Sequence, residues 1–221
     1  QGWMQVSEND EFDFLNTPAY EGASVVDPSG KAFYFTQCQG KKCRIMVSEQ
    51  REGIWLKAVA ISQEINHPEA STTDPALSAM GDTLFFASNR RGGMGDFDIW
   101  FSVRQENGSW SDAINLGSPV NTPFRELSPF SAKDGTFYFS SDGHPGLGGL
   151  DAFYIAGLDG KREIINAGLP FNSAFDDQHL IVNDETGFVA SDRQDGFGAF
   201  DIYKFVNYKK EEVRESAEDI A

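Results

Sequence analysis

Four acidic residues recur at nearly equal distances along the chain and are the first candidates for chemistry. They are spaced 53, 52 and 51 residues apart, at Glu21, Asp74, Glu126 and Asp177. Carboxylates at equivalent positions of a repeat, if they face one opening, would create a focused negative potential that attracts a basic peptide segment or a cation. The alternative interpretation is structural: each carboxylate accepts hydrogen bonds from backbone amides at the junction of its own repeat.

A pair of these carboxylates could instead act on a glycan, with Glu126 and Asp177 as an acid and base pair. Each of these acids has a counterpart in another repeat, which favours a structural role, so we expect no enzymatic activity. The sequence contains no phosphate-binding loop, no Gly-x-Ser-x-Gly elbow and no EF-hand calcium spacing. Three histidines are far apart in sequence and would form a metal site only if the fold brought them together; they are His67, His144 and His179. We therefore expect no cofactor and no bound metal.

Glycine-rich loops form the strongest pattern in the sequence. A loop that begins with Ser-Asn or Ser-Asp and ends with Asp before an apolar strand occurs at residues 88–100, 141–154 and 191–203. Glycines allow positive φ angles, the short polar side chain at the start can cap loop amides, and the final Asp can bind backbone donors across the loop. The structural positions predicted in these loops are Asn89, Asp98, Asp142, Asp151, Asp192 and Asp201.

The loops belong to a longer repeat. An asparagine after an apolar residue marks the start of each unit, with spacings of 50, 55 and 51 residues, at Asn16, Asn66, Asn121 and Asn172. Each unit contains an aromatic-rich strand after a tight turn, and no helical periodicity separates the strands. Apolar segments that begin with tryptophan predict a fourth strand at residues 55–61 and 110–116. Four antiparallel strands per unit are typical of β-propeller blades, whereas a sandwich would give no reason for a repeat. The sequence predicts an all-β, four-bladed propeller of four-stranded antiparallel blades.

The two ends of the chain have different predicted roles. The last unit lacks a fourth strand, and the segment 3–6 is expected to supply it, so that residues 1–15 close a propeller spanning residues 1–205 and remove two exposed sheet edges. Residues 206–221 are charged and predict a linker or short helix that leads to a further domain. Because the chain begins at Gln1 without a leader sequence, we expect it to be part of a longer protein.

The charge balance restricts the possible partners. The chain of 221 residues carries 34 acidic and 18 basic side chains, a formal net charge of -16. Nucleic acids and anionic membrane surfaces repel such a protein, and no apolar run approaches the roughly 20 residues of a membrane span. We expect a protein or peptide partner with a basic surface, no nucleic acid and no direct membrane insertion.

The two cysteines lie five residues apart, at Cys38 and Cys43. No second pair of cysteines and no nearby histidine completes a zinc site. A local disulfide in an oxidising compartment is the preferred interpretation, and two free thiols are the alternative.

The loop at 191–203, Ser-Asp-Arg-x-x-Gly-x-Gly-x-x-Asp-Ile-Tyr, resembles the TolB-type, WD-repeat-like propeller repeat over about residues 16–205. The unit length and the phrase at 117–122 are similar to the propeller modules of OmpA-family lipoproteins of Bacteroidetes, which include type IX secretion system components. This resemblance implies a noncatalytic interaction scaffold in the periplasm, associated with the outer membrane. Peptidoglycan in that family is bound by a domain outside this chain. A kelch-type propeller is the alternative family.

One departure from the repeat concerns the first unit. Cys38 occupies the position that Asn89, Asp142 and Asp192 occupy in the other units. A disulfide to Cys43 would therefore replace the polar contact across the same hairpin.

Overall fold

A computed structural model describes residues 17–155, 163–183, 186–194 and 196–206. Every regular element in these ranges is a β-strand, and they contain no helix long and apolar enough to cross a membrane. Blade 1 contains β1 (Tyr20–Val26), β2 (Ala32–Gln39), β3 (Lys42–Arg51), β4 (Ile54–Trp55) and β5 (Val59–Ala60). Blade 2 contains β6 (Thr72–Leu77), β7 (Thr83–Ser88), β8 (Asp98–Val103) and β9 (Ile114–Asn115). Blade 3 contains β10 (Glu126–Ser131), β11 (Phe137–Ser141), β12 (Asp151–Ile155) and β13 (Ile165–Asn166), and blade 4 contains β14 (Asp177–Asn183), β15 (Thr186–Ser191) and β16 (Asp201–Val206).

The four antiparallel sheets are arranged as a four-bladed β-propeller, which confirms the predicted fold class. Consecutive strands pair within each blade, so the chain completes one sheet before starting the next. The first strands, β1, β6, β10 and β14, line the central channel. This arrangement places the start of each first strand and the glycine-rich loop of the same blade at one end of the propeller.

Aromatic and aliphatic side chains fill the junctions between neighbouring blades. The rings of Phe85 and Phe137 lie 4.8 Å apart between blades 2 and 3, and those of Tyr34 and Trp110 lie 6.4 Å apart between blades 1 and 2. A third buried cluster joins blades 3 and 4. Among the residues that the structure describes, no corresponding cluster joins blade 4 to blade 1. Since burial of such aromatic rings dominates core energetics, these three junctions supply most of the packing between blades.

The outer strands are shorter than the sequence predicts. The predicted strands at 55–61 and 110–116 are reduced to the two-residue elements β4, β5 and β9. Serine hydroxyls bind carbonyls in these segments: Ser48 Oγ donates to Leu56 O at 2.5 Å, and Ser102 Oγ donates to Ser111 O at 2.6 Å. Those carbonyls are therefore satisfied without a regular strand ladder.

Both predictions for the chain ends fall largely outside the described residues. The predicted closing strand lies within residues 1–16, and the predicted linker or helix lies within 207–221. Val206, which the sequence assigns to that linker, is instead the last residue of β16.

Candidate partner-binding surfaces

Glu126 is a completely buried carboxylate at the first position of β10. It accepts hydrogen bonds from Thr122 N at 2.9 Å, Thr122 Oγ1 at 2.6 Å and Ser141 Oγ at 2.8 Å. Burial raises the pKa of the Glu126 carboxyl, and the hydrogen bonds from Thr122 and Ser141 act in the opposite direction. The Glu126 side chain is therefore held by hydrogen bonds at the turn that connects blade 2 to blade 3.

Two further predicted carboxylates occupy the equivalent turn in other blades. Asp177 is also completely buried and accepts from Ser173 Oγ at 2.7 Å and from Arg193 Nη2 at 2.5 Å. Glu21 accepts from the hydroxyl of Thr17, the residue four positions before it, as Glu126 and Asp177 do from theirs. Glu126 and Asp177 also accept from the backbone amides of Thr122 and Ser173, as the structural interpretation expects. The hydrogen bonds to Glu21 come from the side chains of Thr17 and Gln37.

Asp74 does not belong to this set, so the predicted ring of four equivalent carboxylates is wrong. Thr72 pairs with Ser88 at the start of blade 2 as Glu126 pairs with Ser141 in blade 3. Asp74 lies two residues further on, where the register of β6 shifts. Its counterparts are Ser128 and His179, and all three have a positive φ, of 54°, 53° and 55°. The blades differ in length by a few residues, so near-equal spacing in sequence does not establish structural equivalence.

The three bulge residues line a cavity of about 520 Å³ in the central channel. Asp74 Oδ2 accepts a hydrogen bond from Ser128 N at 3.1 Å, and Asp74 N donates to Thr36 Oγ1 at 3.0 Å, so Asp74 joins blades 1, 2 and 3. The remaining wall is largely apolar and includes Leu77 and Phe130. Of the predicted acidic residues, Asp74 alone lines this cavity.

Because the pKa of the buried Glu126 carboxyl is raised, we expect the stability of the chain to depend on pH in a specific way. Because its pKa is raised in the folded chain, folding favours the protonated form, and this contribution is lost as the pH rises through the raised pKa. The variant Glu126→Gln has no such titration. We expect the free energy of unfolding of Glu126→Gln, relative to the parent chain, to rise as the pH increases above about 4, the ordinary range of a glutamate pKa, in urea titrations.

The exposed Glu106 provides the matched control for this experiment. Glu106→Gln removes a carboxylate of the same type without changing the buried turn. An identical pH dependence of the two variants would contradict the assignment of the effect to Glu126.

The predicted aspartates at the ends of the glycine-rich loops bind loop amides. Asp151 Oδ2 accepts from Leu147 N and Gly148 N, both at 2.9 Å. Asp201 Oδ2 accepts from Phe197 N at 2.7 Å and Gly198 N at 2.9 Å, and Asp98 accepts from Met94 N and Gly95 N. These bonds fix the backbone of each loop tip.

The polar residues at the loop starts bind a different segment from the one expected. They accept from the backbone amide just before the first strand of their own blade, not from loop amides. The bonds are Ser71 N to Asn89 at 2.8 Å, Arg125 N to Asp142 at 2.8 Å and Asp176 N to Asp192 at 2.9 Å. They tie each loop to the innermost strand of its sheet.

Blade 1 replaces this contact by a disulfide between Cys38 and Cys43. Cys38 and Cys43 are paired residues of β2 and β3, which are joined by the short turn at Gly40 and Lys41. The first blade therefore lacks the long glycine-rich loop of the other three.

The loop tips expose a large apolar side chain at the same position in three blades. The exposed fractions are 46% for Met94, 56% for Leu147 and 90% for Phe197, each flanked by glycine on both sides. Phe124, which is 57% exposed, lies at the same end of the propeller, because Asp96 N donates to Phe124 O at 3.0 Å. Large apolar side chains exposed at one end of a folded protein are candidates for an interaction site. We call Met94, Phe124, Leu147 and Phe197 the loop-tip surface.

The asparagines that mark the repeat have a role that sequence reasoning did not identify. The three repeat asparagines that the structure describes, Asn66, Asn121 and Asn172, each bind both backbone groups of one residue in the third strand. Asn121 Oδ1 accepts from Ile99 N at 2.8 Å and its Nδ2 donates to Ile99 O at 2.9 Å. Asn172 does the same for Ala152 at 2.8 and 2.9 Å, and Asn66 does so for Ile45. We call this contact the asparagine clamp.

Two arginines and one histidine in the loops also have structural roles that the sequence analysis did not identify. Arg90, His144 and Arg193 each contact a carbonyl just before the repeat asparagine. Arg90 Nη1 donates to Glu64 O at 3.0 Å, His144 Nε2 is 2.9 Å from Val120 O, and Arg193 Nη2 donates to Phe171 O at 2.9 Å. All three residues lie two or three positions after the loop serine, and this shared position in the repeat could have identified them as structural groups.

The structure does not gather the three histidines. His144 lies in a loop of blade 3 and His179 in the channel strand of blade 4, while His67 precedes β6. Within the described ranges, no group of three or more histidine, cysteine, aspartate or glutamate side chains is placed to hold a metal ion.

The four blades, with their glycine-rich loops at one end and the central channel, define a four-bladed β-propeller. Among solved structures, a TolB protein from Agrobacterium tumefaciens superposes with a TM-score of 0.54 at 14% identity, over 80% of this chain and 56% of that one. TolB from Acinetobacter baumannii gives 0.57 at 11% identity, over 88% of this chain and 43% of that one. This chain thus spans about half the length of either TolB structure.

An enzyme shares the same architecture. A Hadza microbial sialidase superposes with a TM-score of 0.52 at 16% identity, over 82% of this chain and 43% of that chain. At these identities the likeness concerns the fold alone. No protein-family model matches the chain, and no curated protein matches it.

Proposed function

We propose that this chain is a noncatalytic protein–protein interaction scaffold, the propeller module of a periplasmic protein associated with the outer membrane. The loop sequences favour a component of the type IX secretion system, of which PorE is an example. The disulfide between Cys38 and Cys43 is consistent with an oxidising compartment such as the periplasm. Peptidoglycan would be reached only through a domain outside this chain.

The observation that carries this proposal is the loop-tip surface. Three equivalent loops expose Met94, Leu147 and Phe197, while hydrogen bonds to Asp98, Asp151 and Asp201 hold their backbones. A surface that is ordered before binding loses less conformational entropy when a partner docks. Rigid scaffolds that present loops in this way are suited to protein recognition.

The charge of the chain favours a partner with a basic surface. The net charge of -16 attracts basic proteins over long distances and raises the rate of encounter. Asp74 adds a carboxylate within the channel, where a basic segment of the partner would contact it. Charge reversal of Asp74 is accordingly expected to weaken binding of a partner that enters the channel.

The alternative function, a glycan-binding or glycoside-processing propeller, has less support. Glycoside hydrolysis requires two carboxyl groups that reach the substrate. Glu126 and Asp177 are completely buried and are bound by side chains of their own turns, so neither is available to a sugar. The observation in favour of this alternative is that a sialidase has a similar fold.

A variant of the loop-tip surface tests the proposal. Replacing Met94, Leu147 and Phe197 by serine should reduce capture of a periplasmic partner by roughly tenfold or more, since buried apolar anchors dominate interface energetics. Capture would be measured by quantitative mass spectrometry of periplasmic extract passed over the immobilised chain.

The matched control replaces two other exposed apolar residues by serine: Met80, in the turn between β6 and β7, and Ile54, the first residue of β4, which are 84% and 69% exposed. Equal capture by the two variants would contradict a binding role for the loop-tip surface. Glycosidase turnover by the parent chain would favour the alternative function.

A further inference from the structure

The bulges of the channel strands hold polar side chains in a backbone conformation that suits glycine. Asp74, Ser128 and His179 occupy equivalent positions in blades 2, 3 and 4, with φ angles of 54°, 53° and 55°. Their counterpart in blade 1 is Ala23, at the register shift of β1. Residues other than glycine are uncommon in this conformation and cluster at functional sites. The four positions also share a location, since all of them line the cavity of about 520 Å³ in the channel.

This cavity has the size and the composition of a small-molecule site. Ligand pockets are usually roughly 300–1,000 Å³ in volume, with a mostly apolar wall and a few polar groups that orient the ligand. The apolar wall here comes from all four blades and includes Val25, Leu77, Phe130, Leu180, Ile181 and Phe188. The polar side chains at the bulges supply the orienting groups on one side of the same space.

Asp74 gives the cavity its charge. Asp74 Oδ1 accepts a hydrogen bond from Thr73 Oγ1 at 2.9 Å, and Oδ2 accepts from Ser128 N at 3.1 Å, so each oxygen keeps a lone pair for a further donor. Among the residues that the structure describes, no lysine or arginine lines the cavity and none pairs with Asp74. A carboxylate beside an apolar wall is stabilised by a cation. The cavity therefore favours a ligand with a positive charge.

Ser128 provides a second polar group next to this carboxylate. The residue is only 3% exposed, and within the described part of the chain its hydroxyl has no hydrogen-bond partner. A buried hydroxyl without a partner is unfavourable, so a ligand that supplies the missing hydrogen bond gains affinity. An ammonium group has three N–H donors and can bind the Asp74 carboxylate and the Ser128 hydroxyl together.

We propose that this cavity binds a small organic ammonium ion. Its N–H groups donate to the Asp74 carboxylate and to the Ser128 hydroxyl. Its apolar body contacts the channel wall, which includes Phe130 and Ile181. A lysine side chain of a protein partner has the same chemistry, so the test must separate a free amine from a partner segment. The inference goes beyond the scaffold function, because such a ligand binds without contacting the loop-tip surface.

NMR titrations of the full chain with two probes of the same shape test the site. The probes are 4-phenylbutylammonium and 4-phenyl-1-butanol, which have the same apolar body and differ in charge. We expect the ammonium ion to bind with a Kd of about 1 mM or lower, and roughly tenfold more tightly than the alcohol. Equal affinities, or no binding of either probe, would overturn the proposal.

Asp74→Asn removes the charge and keeps an amide that can bind both Ser128 N and the Thr73 hydroxyl. The preference for the ammonium ion over the alcohol should disappear, while the alcohol, which reports the integrity of the cavity, binds as before. Glu106→Gln removes an exposed carboxylate and serves as the matched control, so it should retain the preference. Equal preferences in the two variants would show that net charge, and not Asp74, attracts the ammonium ion.

Ser128→Ala tests the second polar group without changing any charge. It removes a hydroxyl that has no partner among the described residues, so we expect no loss of melting temperature. Binding of the ammonium ion should weaken roughly threefold, as expected for one hydrogen bond. Unchanged binding would contradict the role assigned to Ser128.

The amide signals that move during the titration locate the ligand. The ammonium ion should shift the amides of Ala23, Ala76 and Leu180, which line the cavity, and leave those of Leu147 and Phe197 at the loop tips unchanged. Shifts confined to the loop tips would overturn the proposal.

Two further measurements separate this site from the proposed partner surface. The triple serine variant of Met94, Leu147 and Phe197 should bind 4-phenylbutylammonium as the parent chain does, so a failure of the loop-tip surface in partner capture leaves this result unaffected. A peptide with one lysine between apolar residues provides the other arm. Binding of this peptide at Asp74 without binding of the free ammonium ion would assign the cavity to a partner segment and overturn the proposal.

Discussion

Gly148→Ala is expected to destabilise the propeller by about 3 kcal/mol, a large loss for a single methyl group. A Cβ atom at this position would lie 1.9 Å from Phe175 O and 2.8 Å from Phe175 C. Both are backbone atoms of the next blade, so no side chain can rotate away to relieve the overlap. Gly148 N is also bound to Asp151, which prevents the loop from moving outward. Urea unfolding followed by tryptophan fluorescence measures the loss.

Gly22→Ala provides the matched control for Gly148→Ala. A Cβ atom at Gly22 would meet nothing within 4 Å, and its φ angle lies outside the left-handed region. We expect its stability to remain within about 1 kcal/mol of the parent chain. Similar losses in the two variants would show that close approach between blades is not the cause. Gly95, whose Cβ would lie 1.9 Å from Phe124 O, should behave like Gly148.

Asn121→Ala is expected to cost about 3 kcal/mol by breaking the asparagine clamp between blades 2 and 3. The substitution removes three hydrogen bonds, the two to Ile99 at 2.8 and 2.9 Å and one to Asn115 Oδ1 at 3.0 Å. The buried Ile99 N–H loses this partner, whereas Ile99 O keeps the bond from Leu116 N at 3.0 Å. Water cannot replace the lost bonds easily, since Asn121 itself is only 2% exposed. The expected result is a lower denaturation midpoint with an unchanged urea dependence.

Two further substitutions define the clamp more closely. Asn121→Asp keeps an acceptor for Ile99 N, loses the donor to Ile99 O and introduces a buried carboxylate, so we expect it to be at least as destabilising near neutral pH. Asn183→Ala removes an asparagine side chain at an exposed position and should stay within about 0.5 kcal/mol of the parent chain. A neutral Asn121→Ala would mean that the clamp contributes nothing to stability.

The parts of the fold that recur in sequence could be predicted, because a repeated residue type reports a repeated backbone requirement. Glycines and terminal aspartates of the loops are examples, since Asp151 and Asp201 bind equivalent amides. The outer strands were overestimated: apolar patterning indicated seven-residue strands, but only two residue pairs of each form a ladder, and serine hydroxyls bind carbonyls beside them.

The candidate site was only partly predictable. Glu126 and Asp177 were correctly aligned as equivalent residues, but Asp74 was not. The start of β6 lies six residues after Asn66 (72-66), whereas Glu126 and Asp177 each lie five residues after their asparagine (126-121 and 177-172), and the residue at that start is Thr72. The repeat asparagines were recognised as markers while their bonds to the third strand were not. Those bonds join segments about 20 residues apart, and residue spacing alone does not show which backbone groups lie opposite each other.

The hydrogen bonds that hold the loop tips do not depend on which side chains the tips expose. Asp151 and Asp201 hold their tips through main-chain amides, which every amino acid except proline possesses. Residues at positions 94, 147 and 197 can consequently be exchanged by evolution or by design, one blade at a time, while the same framework is retained. A library randomised at these three positions should therefore give binders of altered selectivity that unfold at nearly the same temperature.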